Sequence, residues 1–166
     1  MSRSIAPTST MPTAADPPAL VVVDTNVLLA PTDGSRAHHR AATTFLRHDE
    51  RRLAATPRIV REYLAVATRP VQVNGLGLDP ADAVANVEEI QMISTMLGEG
   101  PATTTRLRDL FLDIPAVGKQ VHDANVVACA LAHGAYAIMT ANVRDLVRYA
   151  SLIVIEDLAT PKRTSQ

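Results

Sequence analysis

Residues 19–31 read ALVVVDTNVLLAP, a run of apolar residues from Leu20 to Val23 that ends abruptly on Asp24. Consecutive β-branched side chains suit a strand covered on both faces, as in a parallel sheet. A carboxylate at the end of such a strand is costly to bury unless a donor, a positive partner or a cation offsets its charge. One explanation is structural: Asp is a favoured N-cap, and Thr25 to Ala30 has the pattern of a helix cut by Pro31. The other is functional, because ligands of open α/β sheets bind in the crevice beyond the carboxyl ends of the strands.

Outward from this stretch, the pattern predicts a helix over 36–48 with Ala37, Ala41, Phe45 and Leu46 inward and a basic outer face. A weak strand over 53–55 follows, then a helix over 57–68 capped by Thr56 and opened by Pro57. The stretch RPVQVNGLGL makes a loop. Asp79, Pro80 and Asp82 open the longest helix, to about Leu97 and stopped at Gly98, with Val84, Val87, Ile90, Met92 and Ile93 as its apolar stripe. Another helix is predicted over 104–112. The segment VGKQVHDANVVACALAHG predicts a central helix from near Asp123 to His133, apolar nearly all round and closed by Gly134. YAIMT and SLIVIED supply two more strands, with a short helix over 143–149 between them. Strands alternating with helices give an α/β fold with a mostly parallel sheet flanked by helices.

The chain has 166 residues, 47% of them hydrophobic, and a net charge of -1, which fits one soluble domain and argues against a general affinity for polyanions. Aromatics are 3%, with no Trp, so base stacking on an aromatic platform has little material. The single cysteine, Cys129, lies in an apolar run and reads as a small hydrophobe in a reduced compartment. Residues 1–18, rich in Ser, Thr, Pro and Ala without a signal-peptide core, read as a disordered leader in which Met11 is an alternative start. Residues 19–158 form the domain and 159–166 a flexible tail. The absence of a membrane-length apolar run implies a cytoplasmic protein with no membrane partner.

Three further acids join Asp24 as candidates. Glu62 follows Ile59 by three residues and precedes Val66 by four, which sets it at the edge of a buried helix face, although an ion pair with Arg58 explains it equally well. Asp123 opens the most apolar helix and is either a cap or a ligand; His122 beside it fits a packed or solvated histidine better than a ligand. After the strand AIMT come Thr140, Asn142 and Asp145, the last either near the site or paired with Arg144 or Arg148. Carboxylates converging on one crevice need a cation, and an all-oxygen donor set without a Cys pair selects Mg²⁺ or Mn²⁺ over Zn²⁺.

VVVDTNVLL, PRIVREYLAVATRP, QVHDANVVACALAHG and IMTANVRDL together resemble the successive motifs of PIN-domain ribonucleases, in particular the VapC-type toxins of bacterial toxin–antitoxin systems, over about residues 19–158. The resemblance implies a single PIN-like domain, a Mg²⁺- or Mn²⁺-dependent endoribonuclease, an RNA substrate, a cognate antitoxin protein as partner, and a homodimer. It makes Asp24, Glu62 and Asp123 metal-site acids. The family's fourth acid falls where this chain has Asn142, with Asp145 three residues on, so either completes the site. Arg40, Arg47, Arg58, Arg61, Lys119, Arg144 and Arg148 are candidate contacts to the RNA backbone. Two other readings stay open. A Mg²⁺-dependent phosphatase also starts from an Asp after a strand but wants a second acid at position 26, where Asn stands. A noncatalytic PIN-like module binding RNA or protein would have lost part of its metal site, as Asn142 suggests.

Overall fold

A computed structural model describes residues 17–160; the expected leader over 1–18 and tail over 159–166 fall mainly outside them. The first strand, β1 (Leu20–Val23), leads through Asp24 into a short helix, α1 (Thr25–Leu29). Pro31 does not end that helix abruptly but sits inside a 3₁₀ turn, Ala30–Thr32, that continues it. The next helix, α2 (His39–His48), starts three residues later than the pattern predicts. Asp33 accepts hydrogen bonds from the Ser35 backbone and hydroxyl, and His38 adopts a left-handed φ of 67°, so the chain turns here instead of coiling. Ala37 is accordingly exposed and Ala42 fully buried.

Strand β2 (Arg52–Ala55) hands over to α3 (Pro57–Thr68), with the Thr56 hydroxyl accepting from the Ile59 N–H as a cap. Ile59, Tyr63 and Ala67 form its buried stripe, each one helical turn from the last. Helix α4 (Pro80–Ile93), capped by Asp79, is shorter than expected, and residues that the pattern assigns to its last turn form an edge strand, β3 (Thr95–Met96). The open edge of β2 explains this: Thr95 and Met96 pair with Ala54 and Ala55, and the Leu97 N–H donates to Ala55 O, satisfying groups that a longer helix would have left bare. The stripe predicted for α4 divides, since Val87 and Ile90 are buried with Ala83 whereas Val84, Met92 and Ile93 face outward.

Helix α5 (Pro101–Asp113) begins on its proline, three residues before the predicted start. Helix α6 (Gln120–Ala132) likewise starts ahead of Asp123, with Gln120 Oε1 reaching back to the Val117 N–H. Six of its residues between Ala124 and Ala130 are buried, and Gly134 takes the left-handed conformation just past its end. Strand β4 (Ala137–Thr140), a short helix α7 (Val143–Leu146) followed by a 3₁₀ turn, and β5 (Val154–Asp157) complete the chain.

The five strands form one all-parallel sheet in the order β3-β2-β1-β4-β5. The order runs outward in both directions from β1 and β4, and the gap above those two central strands is the natural site for a ligand. Among the described residues no helix is long and apolar enough to cross a membrane.

Candidate metal centre

Asp24 stands at the carboxyl end of β1, where its backbone N–H donates to Met139 O and extends the pairing with β4. Its Oδ1 accepts from the Thr25 N–H at 2.8 Å, the capping role anticipated for it. Its Oδ2 accepts from the Asn26 amide at 2.9 Å and the Thr140 hydroxyl at 2.7 Å. Asn26 also donates to Thr140 Oγ1 and accepts from the Ala141 N–H, and the Asn142 N–H donates to the same hydroxyl. Thr140 is thus a hub that ties the end of β4 to the end of β1. Burial pushes the Asp24 carboxyl above the ordinary carboxylate range; its hydrogen bonds oppose the rise and the Glu62 charge adds to it.

Glu62, on α3, accepts a hydrogen bond from the Thr25 hydroxyl at 3.1 Å, and Arg58 Nη2 lies 3.3 Å from the same oxygen. The ion pair expected with Arg58 is present, and Thr25 ties the same carboxylate to the residue beside Asp24. Asp123 is the fourth residue of α6 and not its cap. A carboxylate in a first helical turn is ordinarily favoured in its charged form by the helix dipole. Asp123 goes the other way, pushed up to about 6 by burial and then by the charges of Asp145, Asp24 and Glu62, with Arg58 pulling it down. Asp145, exposed on α7, accepts from the Asn142 side-chain amide. Neither Arg144 nor Arg148 forms an ion pair with it; Arg148 donates to Pro115 O and lies over the Tyr149 ring.

The fold brings Asp24, Glu62, Asp123 and Asp145 close enough for three of them to act on the fourth, with Asn142 bonded to one of them. Among the described residues, no three His, Cys, Asp or Glu side chains stand as a finished metal-binding group. The chemistry of the donors nonetheless fits a hard divalent ion: anionic oxygens, with a mutual repulsion that adds to the effect of burial on Asp123 and that a cation would relieve. His122 is exposed.

Sequence reasoning missed the residues that hold the acids in place. Thr25 and Asn26 were in view, adjacent to Asp24, but nothing in a linear string shows that one reaches Glu62 and the other Thr140. Glu99, in the loop before α5, accepts from the Arg58 N–H and the Asn125 amide and pairs with Arg61, joining α3 to α6. A loop position has no periodicity by which to be found. A concavity of about 830 Å³ bounded by Arg40, Phe45, Met139 and Leu158 is lined by none of the four acids. Another, of about 440 Å³, reaches the site's border at Asn26 and Ala141.

No curated protein sequence matches the chain. Among solved structures it is similar to a DNA-bound VapBC from Salmonella typhimurium, with 20% identity, a TM-score of 0.60, and 84% of this chain and 98% of that one covered. It is likewise similar to VapBC-1 from nontypeable Haemophilus influenzae (16% identity, TM-score 0.60, 85% and 99% covered). A third neighbour is VapC20 of Mycobacterium tuberculosis, a sarcin-ricin-loop-cleaving toxin (13% identity, TM-score 0.56, 71% and 86% covered). At these identities the likeness is one of fold. The family model described as PIN domain matches residues 21–152, and the chain, with its all-parallel sheet and its acids above β1 and β4, belongs to the PIN-domain family.

Proposed function

We propose that this protein is a Mg²⁺- or Mn²⁺-dependent endoribonuclease that acts as the toxin of a cytoplasmic toxin–antitoxin pair. The observation that carries this reading is the gathering of Asp24, Glu62, Asp123 and Asp145 beyond the ends of β1 and β4, where burial first and then the charges of the other three acids push Asp123 up to about 6. Asp24 and Asp123 would hold the ion, with Glu62, Asp145 and the Asn142 side chain beside them. A bound divalent ion supplies an acidified water and offsets charge on a scissile phosphate. The chain's own residues do the positioning. Thr25, Asn26 and Thr140 fix both oxygens of Asp24, so that it meets the ion without reorganising, and the Thr25 hydroxyl holds Glu62 beside it. Unpaired RNA suits a crevice of this kind because its backbone can enter where a duplex cannot.

The VapBC assemblies among the structural neighbours support a cognate antitoxin as partner. The outward apolar residues Val84, Met92 and Ile93 of α4 offer a surface for a homodimer. The phosphatase reading loses ground, since Asn26 is committed to Asp24, Thr140 and Ala141 rather than left open to a ligand.

Incubation of a mixed RNA pool with purified protein tests the proposal. Cleavage should require Mg²⁺ or Mn²⁺, stop in EDTA and be absent from Asp24→Asn. Undiminished cleavage in EDTA would end the metal reading, and no cleavage under any ion would favour the noncatalytic module.

A further inference from the structure

Arg58 is the one cation, among the described residues, in an ion pair with any of the four acids. It sits in the first turn of α3 with its side chain only 21% exposed, and its Nε is buried with no hydrogen-bond partner. Among the described residues the one ion pair of its guanidinium, 3.3 Å to Glu62 Oε2, is longer than the hydrogen bonds that hold Asp24. A guanidinium offers five donors in a fork suited to two oxygens at once, and most of that capacity is unspent here. A polyanion entering a crevice of carboxylates meets repulsion, and a cation already standing among them is what can receive it.

We propose that Arg58 is the phosphate-binding residue of the crevice, exchanging its contact with Glu62 for a non-bridging oxygen of the RNA backbone. The inference rests on the nuclease reading above and deepens it. The exchange links two events: RNA draws Arg58 off Glu62, and Glu62 becomes fully available to a divalent ion. Metal and RNA should then favour one another's binding, although their partners lie on one helix four residues apart.

Two measurements test this on the full chain. In the first, Mn²⁺ alone is titrated into RNA-free protein. Arg58→Gln should bind it about two- to fivefold more tightly, the scale of a half-exposed ion pair, because a competing charge is gone. In the second, binding of a short single-stranded RNA is followed by anisotropy in the Asp24→Asn background, where it stays uncut. Adding Arg58→Gln should weaken binding about tenfold, as the loss of a charge-assisted contact does. It should also reduce the salt slope by about 0.7, the value for one phosphate contact to a single strand. Arg58→Lys, which keeps the charge without the fork, should keep the slope and lose part of the affinity; urea unfolding checks that each variant folds. RNA that binds parent and Arg58→Gln alike, with equal slopes, overturns this inference alone. Weaker Mn²⁺ binding in Arg58→Gln also overturns it, by making Arg58 a support for Glu62. RNA that fails to bind the Asp24→Asn parent overturns the nuclease reading and this inference together.

Discussion

The molecule contains two clusters of arginine and carboxylates, and they are solved in opposite ways. In the first, Arg51 donates through Nε and Nη2 to Asp49 and through Nη1 and Nη2 to Glu156, at distances from 2.7 to 3.0 Å. Hydrogen bonding to Asp49 and the charges of both acids hold the guanidinium more firmly protonated than usual. Burial works against the Asp49 carboxylate, yet the bonds and charge of Arg51 carry it below its ordinary value. The second cluster has four acids and one loosely placed arginine, and there Asp24 and Asp123 are pushed up. Where the chain supplies its own matching cation, the cluster clasps the loop before β2 to β5 and is structural. Where it leaves more negative charge unmatched, a cation from outside would offset the deficit.

The contrast breaks most visibly at Asp123. Asp123→Asn should lower cleavage by about a thousandfold, several kcal/mol of transition-state stabilisation, while leaving the metal-free protein as stable as before or more so. Wild-type cleavage by the folded variant would show that the acid is incidental. Arg51→Ala should do the reverse, lowering stability by about 3 kcal/mol in urea unfolding because the guanidinium that joins two part-buried carboxylates is gone, with no direct effect on metal affinity. A midpoint within error of wild type would demote the clasp to surface decoration.

Acid titration sharpens the comparison further, since the clusters have slopes of opposite sign. For Asp123 the native value is about 6 and the unfolded value 3.8. Between them the native state binds more protons, so metal-free stability falls as pH rises across this interval and levels off above it. Asp49 is lowered, so its contribution is present above 3.8 and lost as pH falls. Unfolding measured from pH 4 to 7 should show the first slope reduced in Asp123→Asn, with the share of the likewise raised Asp24 remaining, and stabilisation by added Mg²⁺ should grow over the same range as protons leave. The smallest effects belong to the periphery. Asp145→Ala should weaken metal binding less than Asp24→Ala, and Asn142→Asp should strengthen it by adding charge. Metal titration decides both, and unchanged affinity in Asp145→Ala would assign that residue to the surface.

What was legible in the sequence follows the range of the interaction that decides it. Leu20 to Val23 is apolar at every position and can sit stably only inside a sheet, while Thr56 with Pro57 starts a helix by contacts within a single turn. Strand β3 was illegible because its two residues are set by the hydrogen-bonding edge of β2, 41 positions away, and not by their own pattern. The start of α2 was missed because a left-handed histidine carries no mark in a string of letters. The same division runs through the candidate site: acids stand out by the cost of burying them, whereas the hydroxyl of Thr140, bonded to Asp24 across 116 positions, is invisible until the strands are paired.

That bond has a consequence for how the protein comes into being. Asp24 is made before Thr140, with Glu62, Asp123 and most of the helices between them. Because β1 has β4 as one of its two neighbours, a growing chain on the ribosome lacks one wall of its crevice until nearly the whole domain has emerged. An unfinished chain therefore carries the acids without the geometry. The sheet order acts as a timer: the acids come together only once the chain is long enough for the rest of the fold, and under the nuclease reading proposed above this would keep an unfinished chain from cutting RNA.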